Sequence, residues 1–163
     1  MKKTNRNRLT IGASVVLALL TPMQSIHAES VDNAALLYYQ AFMLYEDPND
    51  DMLKMVLDVA LRQTPANTEV KQFINSSRYA IDLAITATDL PNCDWGLDYS
   101  KGMALQLPHL NSCRRLSQFI FADGRILAAS RDYKTALSRC VSGKKFARHV
   151  SDRPIITYMV AVA

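Results

Sequence analysis

Beyond residue 32, apolar side chains recur at helical spacing along most of the chain, and nowhere alternate for long enough to define a strand. Ala34, Leu37, Tyr38, Ala41, Leu44 and Tyr45 fall on one face of a first helix, which Asp32 or Asn33 can cap. Acidic residues around Pro48 and Asn49 end it with turn chemistry. A second helix over about 51–63 places Leu53, Val56, Leu57 and Ala60 together, and residues 64–67 break it. A third and longer helix, with Thr68 as its cap, carries Val70, Phe73, Ile74, Ile81, Ala84 and Ile85, interrupted only by Ser77. From 89 to 111 the helical period disappears, apart from a short turn expected around 99–107. The stretch holds Pro91, Cys93, Trp95, Gly96, Gly102, Pro108 and His109. Connections this long are uncommon in compact domains, and are often functional or packed as a loop of their own.

The period returns near Ser112 with Leu116, Phe119, Ile120 and Leu127, stops at 130–132, and resumes as a fifth helix with Tyr133, Ala136, Leu137, Cys140 and Ala147. Ser151 or Asp152 caps a sixth, with Pro154 in its first turn. Residues 155–163 are apolar but for the hydroxyls of Thr157 and Tyr158, and no C-cap glycine or basic last turn follows. That pattern reads as part of a longer protein. It predicts an exposed patch near Ile156, Met159 and Val160 through which the chain self-associates. The fold class expected is all-α, in antiparallel hairpins, with five to six helices.

The amino terminus departs from this pattern. Lys2, Lys3, Arg6 and Arg8 precede an uncharged apolar run over 9–20, which Thr21 and Pro22 interrupt. A small residue, Ala28, follows at a suitable distance. This is the grammar of a cleavable secretory signal over 1–28, leaving 29–163 as a single helical domain. The apolar run is shorter than the roughly 20 residues that span a bilayer, so an uncleaved anchor is disfavoured and no transmembrane segment is expected after cleavage. The protein is read as exported, to the periplasm or beyond.

Removing the signal changes the charge argument. Four of the 19 basic side chains precede Ala28, so 15 remain against 15 acidic ones and the net charge is zero. The pI near 9.0 therefore belongs to the signal, and no nucleic-acid partner is indicated. The distribution is uneven: residues 29–100 hold 12 acids against 4 bases, residues 101–163 hold 3 acids against 11 bases. Either the second half meets an anionic partner, or the two halves attract each other.

Small residues punctuate the last two predicted helices. They are Gly124, Ala136 and Gly143, and Tyr133 and Leu137 flank Ala136 in a D-Y-x-x-A-L pattern. In these features residues 117–150 resemble a single tetratricopeptide hairpin, which implies a helical interaction module. The segment departs from that family at Ile120, Asp123, Cys140 and Arg148, and no second copy stands upstream at a period of about 34. Residues 33–42 and 91–100 are also similar to stretches of exported bacterial proteins, a likeness that implies no activity.

Candidate chemistry centres on the 89–111 loop. Three cysteines in an exported chain raise the disulfide question. Cys113 and Cys140 would sit about 13 Å apart along a hairpin axis, whereas bonded cysteines need Cα atoms within about 7 Å. Cys93 with Cys113 would instead staple the loop at both ends; the alternative is that all three are buried or reduced thiols. Cys93, His109 and Cys113 lack the paired spacing of a metal site, and no metal or cofactor is expected. Asp94 and Asp98, with Trp95 between them and His109 beyond, form the candidate ligand site. Two carboxylates four apart suit hydrolysis, and a Trp can stack on a ligand. The plainer readings are solvated turn residues and a Trp that pins the loop. The function expected is an exported scaffold or protein-interaction module of the cell envelope. The alternative is a small envelope hydrolase or ligand-binding domain using the loop.

Overall fold

A computed structural model describes residues 32–98, 100–101 and 105–151. Six helices appear among them: α1 (Ala34–Leu44), α2 (Asp50–Ala60), α3 (Thr68–Ser76), α4 (Arg78–Ala87), α5 (Leu110–Ala129) and α6 (Tyr133–Ser151). The chain is all-α. Among the described residues the sole extended pairing is an isolated bridge between Asn33 and Asn92, and no helix is long and apolar enough to cross a membrane. The expected leader and the expected sixth helix, with Ile156, Met159 and Val160, lie outside the described residues.

Asparagine starts the first three helices. Asn33, Asn49 and Asn67 each accept a bond from a free first-turn amide, those of Ala35, Met52 and Val70. The cap of α3 is thus Asn67, one residue before the expected Thr68. Helices α2 and α5 end with Arg62 and Arg131 in the left-handed region, at φ 64° and 67°, where glycine is the usual choice. Asp132 caps α6: its side chain accepts from the Thr135 amide and its carbonyl from that of Ala136. Hydrogen bonds from the Thr135 side chain and amide, with Lys134 nearby, hold the Asp132 carboxyl below the usual carboxylate range.

The expected third helix is two helices. Ser77 (φ −84°, ψ 5°) separates α3 from α4, and its buried hydroxyl has no partner among the described residues. The break lets Val70 and Ile74 pack toward α5 while Ile81 and Ala84 serve the α1 side. Helix α4 packs on α1, α2 on α5, and α5 on α6 across the short link at 130–132. Tyr38, Phe119, Phe146, Ile74, Ile81, Leu116 and Ile120 are the largest fully buried apolar side chains of one shared core, which Trp95 and Tyr45 also join.

The phase of α6 differs from expectation. Tyr133 and Leu137 are 66% and 67% exposed and Cys140 is exposed, while Ala136, Ser142, Gly143 and Phe146 face inward. Arg139 explains the shift. It lies near the centre of the inward face and donates Nε to Oδ2 of Asp123 at 2.8 Å and Nη2 to Oδ1 of Asp82 at 2.8 Å. Asp123 is fully buried and also accepts a bidentate pair from Arg78, both bonds 2.7 Å. Carboxylate and guanidinium planes match in such a fork, so the buried charge is compensated. The bonds to Asp123 push the Arg78 guanidinium further up.

Small residues make the α5–α6 contact close. A Cβ on Gly124 would sit 3.3 Å from Cβ of Arg139, and one on Gly143 would sit 2.8 Å from Cζ of Phe121. The uneven charge distribution also has an internal use. Arg115 pairs with Asp47, Arg139 with Asp82 and Lys145 with Asp89, each joining a base after residue 100 to an acid before it.

Candidate functional site

The long connection is anchored at its start by α1. Asn33 donates its side-chain amide to the carbonyl of Asp94 (2.9 Å), and its carboxamide oxygen accepts from the Asp94 amide (2.8 Å). The Ala34 amide bonds to the carbonyl of Asn92 at 2.8 Å. The residue that caps α1 therefore also holds the loop.

Just beyond this anchor, Trp95 turns inward and is 5% exposed. Its ring is stacked with Tyr38 and Phe42, meets Tyr39 edge-on, and lies against the His109 imidazole with centroids 4.3 Å apart at 14°. The indole N–H donates to the carbonyl of His149 at 2.9 Å, joining the loop to the last turn of α6. Tyr38 completes the cluster: its hydroxyl is 2.8 Å from Nδ1 of His149 and its ring packs on Phe146. Burial pushes the Tyr38 phenol far above its usual range, so it stays protonated.

The structure thus brings Trp95 and His109 together, but as core. His109 is 2% exposed, neither ring nitrogen has a hydrogen-bond partner among the described residues, and burial pushes its pKa below the usual imidazole value. A neutral ring held in a stack has no route to a substrate. Asp94 and Asp98 are exposed and each closes a local turn. Asp94 accepts from the Gly96 amide at 2.9 Å, and Asp98 from the amide and hydroxyl of Ser100 at 3.2 and 2.6 Å. None of the four lines either of the two cavities described next, and no group of three or more His, Cys, Asp or Glu able to hold a metal occurs among the described residues.

Two concavities lie elsewhere. A polar one of about 400 Å³ is lined by Thr88, Asp89, Leu90, Pro91, Cys93, Lys145, Arg148 and His149, and the Lys145–Asp89 ion pair (2.7 Å) joins two of these lining residues. An apolar groove of about 530 Å³ runs between α5 and α6. Leu110, Cys113, Phe121, Phe146, Ala147 and Val150 line it, with Arg114, Ser117, Gly143 and Ser151. Phe121 is partly exposed along it, and Arg114 is its single charged lining residue. Cys113 is buried, and both that burial and the neighbouring Cys93 push its thiol well above the usual range, so it rests as the protonated thiol.

Sequence reasoning placed chemistry on His109 and missed His149, which is the histidine that shares a cavity with Cys93. It also missed the groove. The signal lay in Phe121 and Gly143, an aromatic opposite a position with no side chain, but their pairing depends on the relative phase of two helices. Comparison of the chain with models of protein families, with curated proteins and with solved structures found no match.

Proposed function

We propose that the chain is an exported helical interaction module of the cell envelope, and that the α5–α6 groove receives an apolar segment of a protein partner. The carrying observation is the groove itself: about 530 Å³, open, lined mainly by aliphatic and aromatic carbon, and formed by two ordinary helices rather than by a reactive cluster. Amphipathic segments dock in grooves of this kind through side chains at helical spacing. Export is supported by the basic residues and short apolar run before Ala28. The placement of Asp94, Trp95, Asp98 and His109 lends no support to a hydrolytic or ligand site in the loop.

A photo-crosslinking amino acid at position 147, in the groove, tests this against one at Tyr79, exposed on α4. With the chain expressed through its own leader, one envelope protein should be captured from position 147 and not from 79. Equal capture at both positions, or none at 147, would refute the reading. Loss of residues 1–28 from that product, read by mass spectrometry, checks export.

A further inference from the structure

We propose that Cys93 and Cys113 are the two ends of an intramolecular disulfide that locks the loop onto the first turn of α5. Four observations converge on the pair. Cys93 follows Asn92 and precedes Asp94, whose backbones are bonded to Ala34 and to the cap Asn33 at the start of α1, so its position is fixed from both sides. Two residues later Trp95 lies against His109 at 4.3 Å. Cys113 stands one helical turn beyond His109 on α5, and its amide donates to the His109 carbonyl at 2.9 Å. Both cysteines also stand close enough to Tyr38, the ring on which Trp95 stacks, to push its phenol up, and Cys93 close enough to Cys113 to push that thiol up. Loop and helix are thus held against one packed cluster on either side of the pair.

Cys140 is not a competitor. It is exposed on α6, whereas Cys113 is buried and faces the core. Bonding either of the others to Cys140 would require one of them to leave its packing.

The reaction is a thiol–disulfide exchange. Each sulfur of the pair loses a proton, one S–S bond forms, and the two electrons reduce the disulfide of an oxidant to two thiols, whether that oxidant is an envelope oxidoreductase or a small-molecule disulfide. Cys93, which is half-buried and borders the polar cavity, is the more accessible of the two and makes the first attack on the oxidant. Cys113 then displaces the oxidant's sulfur from the mixed disulfide. Because Cys113 also lines the apolar groove, oxidation fixes one wall of the surface proposed above to bind a partner. The bond draws on the export reading only for its natural oxidant, so a test with a defined oxidant separates the two.

The full chain is equilibrated with oxidised or reduced glutathione, alkylated and digested with trypsin, which places Cys93, Cys113 and Cys140 in separate peptides spanning 79–101, 102–114 and 140–144. Oxidised protein should yield 79–101 joined to 102–114, with Cys140 linked to neither and carrying either the alkylating group or glutathione. Its thermal midpoint should exceed that of the reduced protein by about 10 °C. Cys93→Ser should abolish that difference without unfolding the reduced protein, which keeps the test valid if Cys113→Ser fails to fold. Alkylation of both Cys93 and Cys113 in the oxidised sample would overturn the proposal, as would linkage of either to Cys140 or a midpoint that does not respond to oxidation.

Discussion

The two sides of the molecule are held by opposite chemistry. Where α4, α5 and α6 meet, a fully buried carboxylate, Asp123, gathers Arg78 and Arg139 in three charge-assisted bonds of 2.7–2.8 Å. Where the loop meets α1 and α6, Trp95 is gripped by Tyr38, Phe42 and His109 with a single indole bond to backbone. The first corner is directional and intolerant: removing one partner leaves a buried charge uncompensated. The second rests on contact area, so its cost scales with the carbon removed. Both corners serve α6, which explains how a helix with an arginine near the centre of its inner face packs as firmly as an apolar one.

The sharpest way to break the comparison is Asp123→Ala. It deprives Arg78 of its fork and leaves Arg139 with Asp82 alone, and should cost about 4 kcal/mol, read as a lower urea midpoint. Replacing the whole set, Asp123→Leu with Arg78→Met and Arg139→Leu, should recover most of that loss, because an apolar trio has no unpaired charge. Trp95→Ala should come next, at about 3 kcal/mol, and no companion substitution should restore it. Native-state hydrogen exchange should then rise first in α1 and the last turn of α6, while the Asp123 corner stays protected.

A smaller effect depends on pH. His109 is depressed below its usual 6.5 by burial, so the unfolded chain binds a proton first as the pH falls. The stability from the neutral ring is complete above about pH 6.5 and is lost as the pH drops through the window below it. His109→Phe keeps an aromatic ring against Trp95 and removes the titration. Denaturant midpoints between pH 7 and pH 5 should therefore fall less steeply in the variant. The smallest effect is at Arg131, whose φ of 67° suits glycine. Arg131→Gly should be neutral or stabilise by up to about 1 kcal/mol, since relief of strain outweighs added chain entropy. A clear loss there would mean that the Arg131 side chain contributes packing.

The same contrast separates what could be read from the sequence. Apolar period located α1, α2, α5 and α6 to within a few residues, because their buried faces are carbon at 3.6-residue spacing. It misplaced the inner face of α6, since an arginine bonded to a carboxylate on another helix looks like a surface residue in isolation. It also joined α3 to α4, because Ser77 is tolerated in a helix and the turn there is set by packing on two different neighbours. Asp123 stood out as a misfit in the hairpin pattern, yet nothing local identified Arg78, 45 residues earlier, as its partner. Trp95 as a loop pin was legible from its size and solitude. Its alignment with His109 was not, since the two stand 14 positions apart without a helical period to relate them. The groove needed the relative phase of two helices, which no single segment carries.

The stacking of Trp95 on His109 also gives the protein an intrinsic optical gauge. Trp95 is the sole tryptophan, so all indole emission comes from one ring, enclosed by aromatic neighbours and 4.3 Å from an imidazole. An imidazolium in contact with an excited indole quenches it by accepting an electron, whereas the neutral ring does so weakly. Docked and undocked loops should therefore differ in emission wavelength, and acidification should dim the signal only while the stack persists. Lifetime measurements can then distinguish loop release from imidazole protonation in the unlabelled protein.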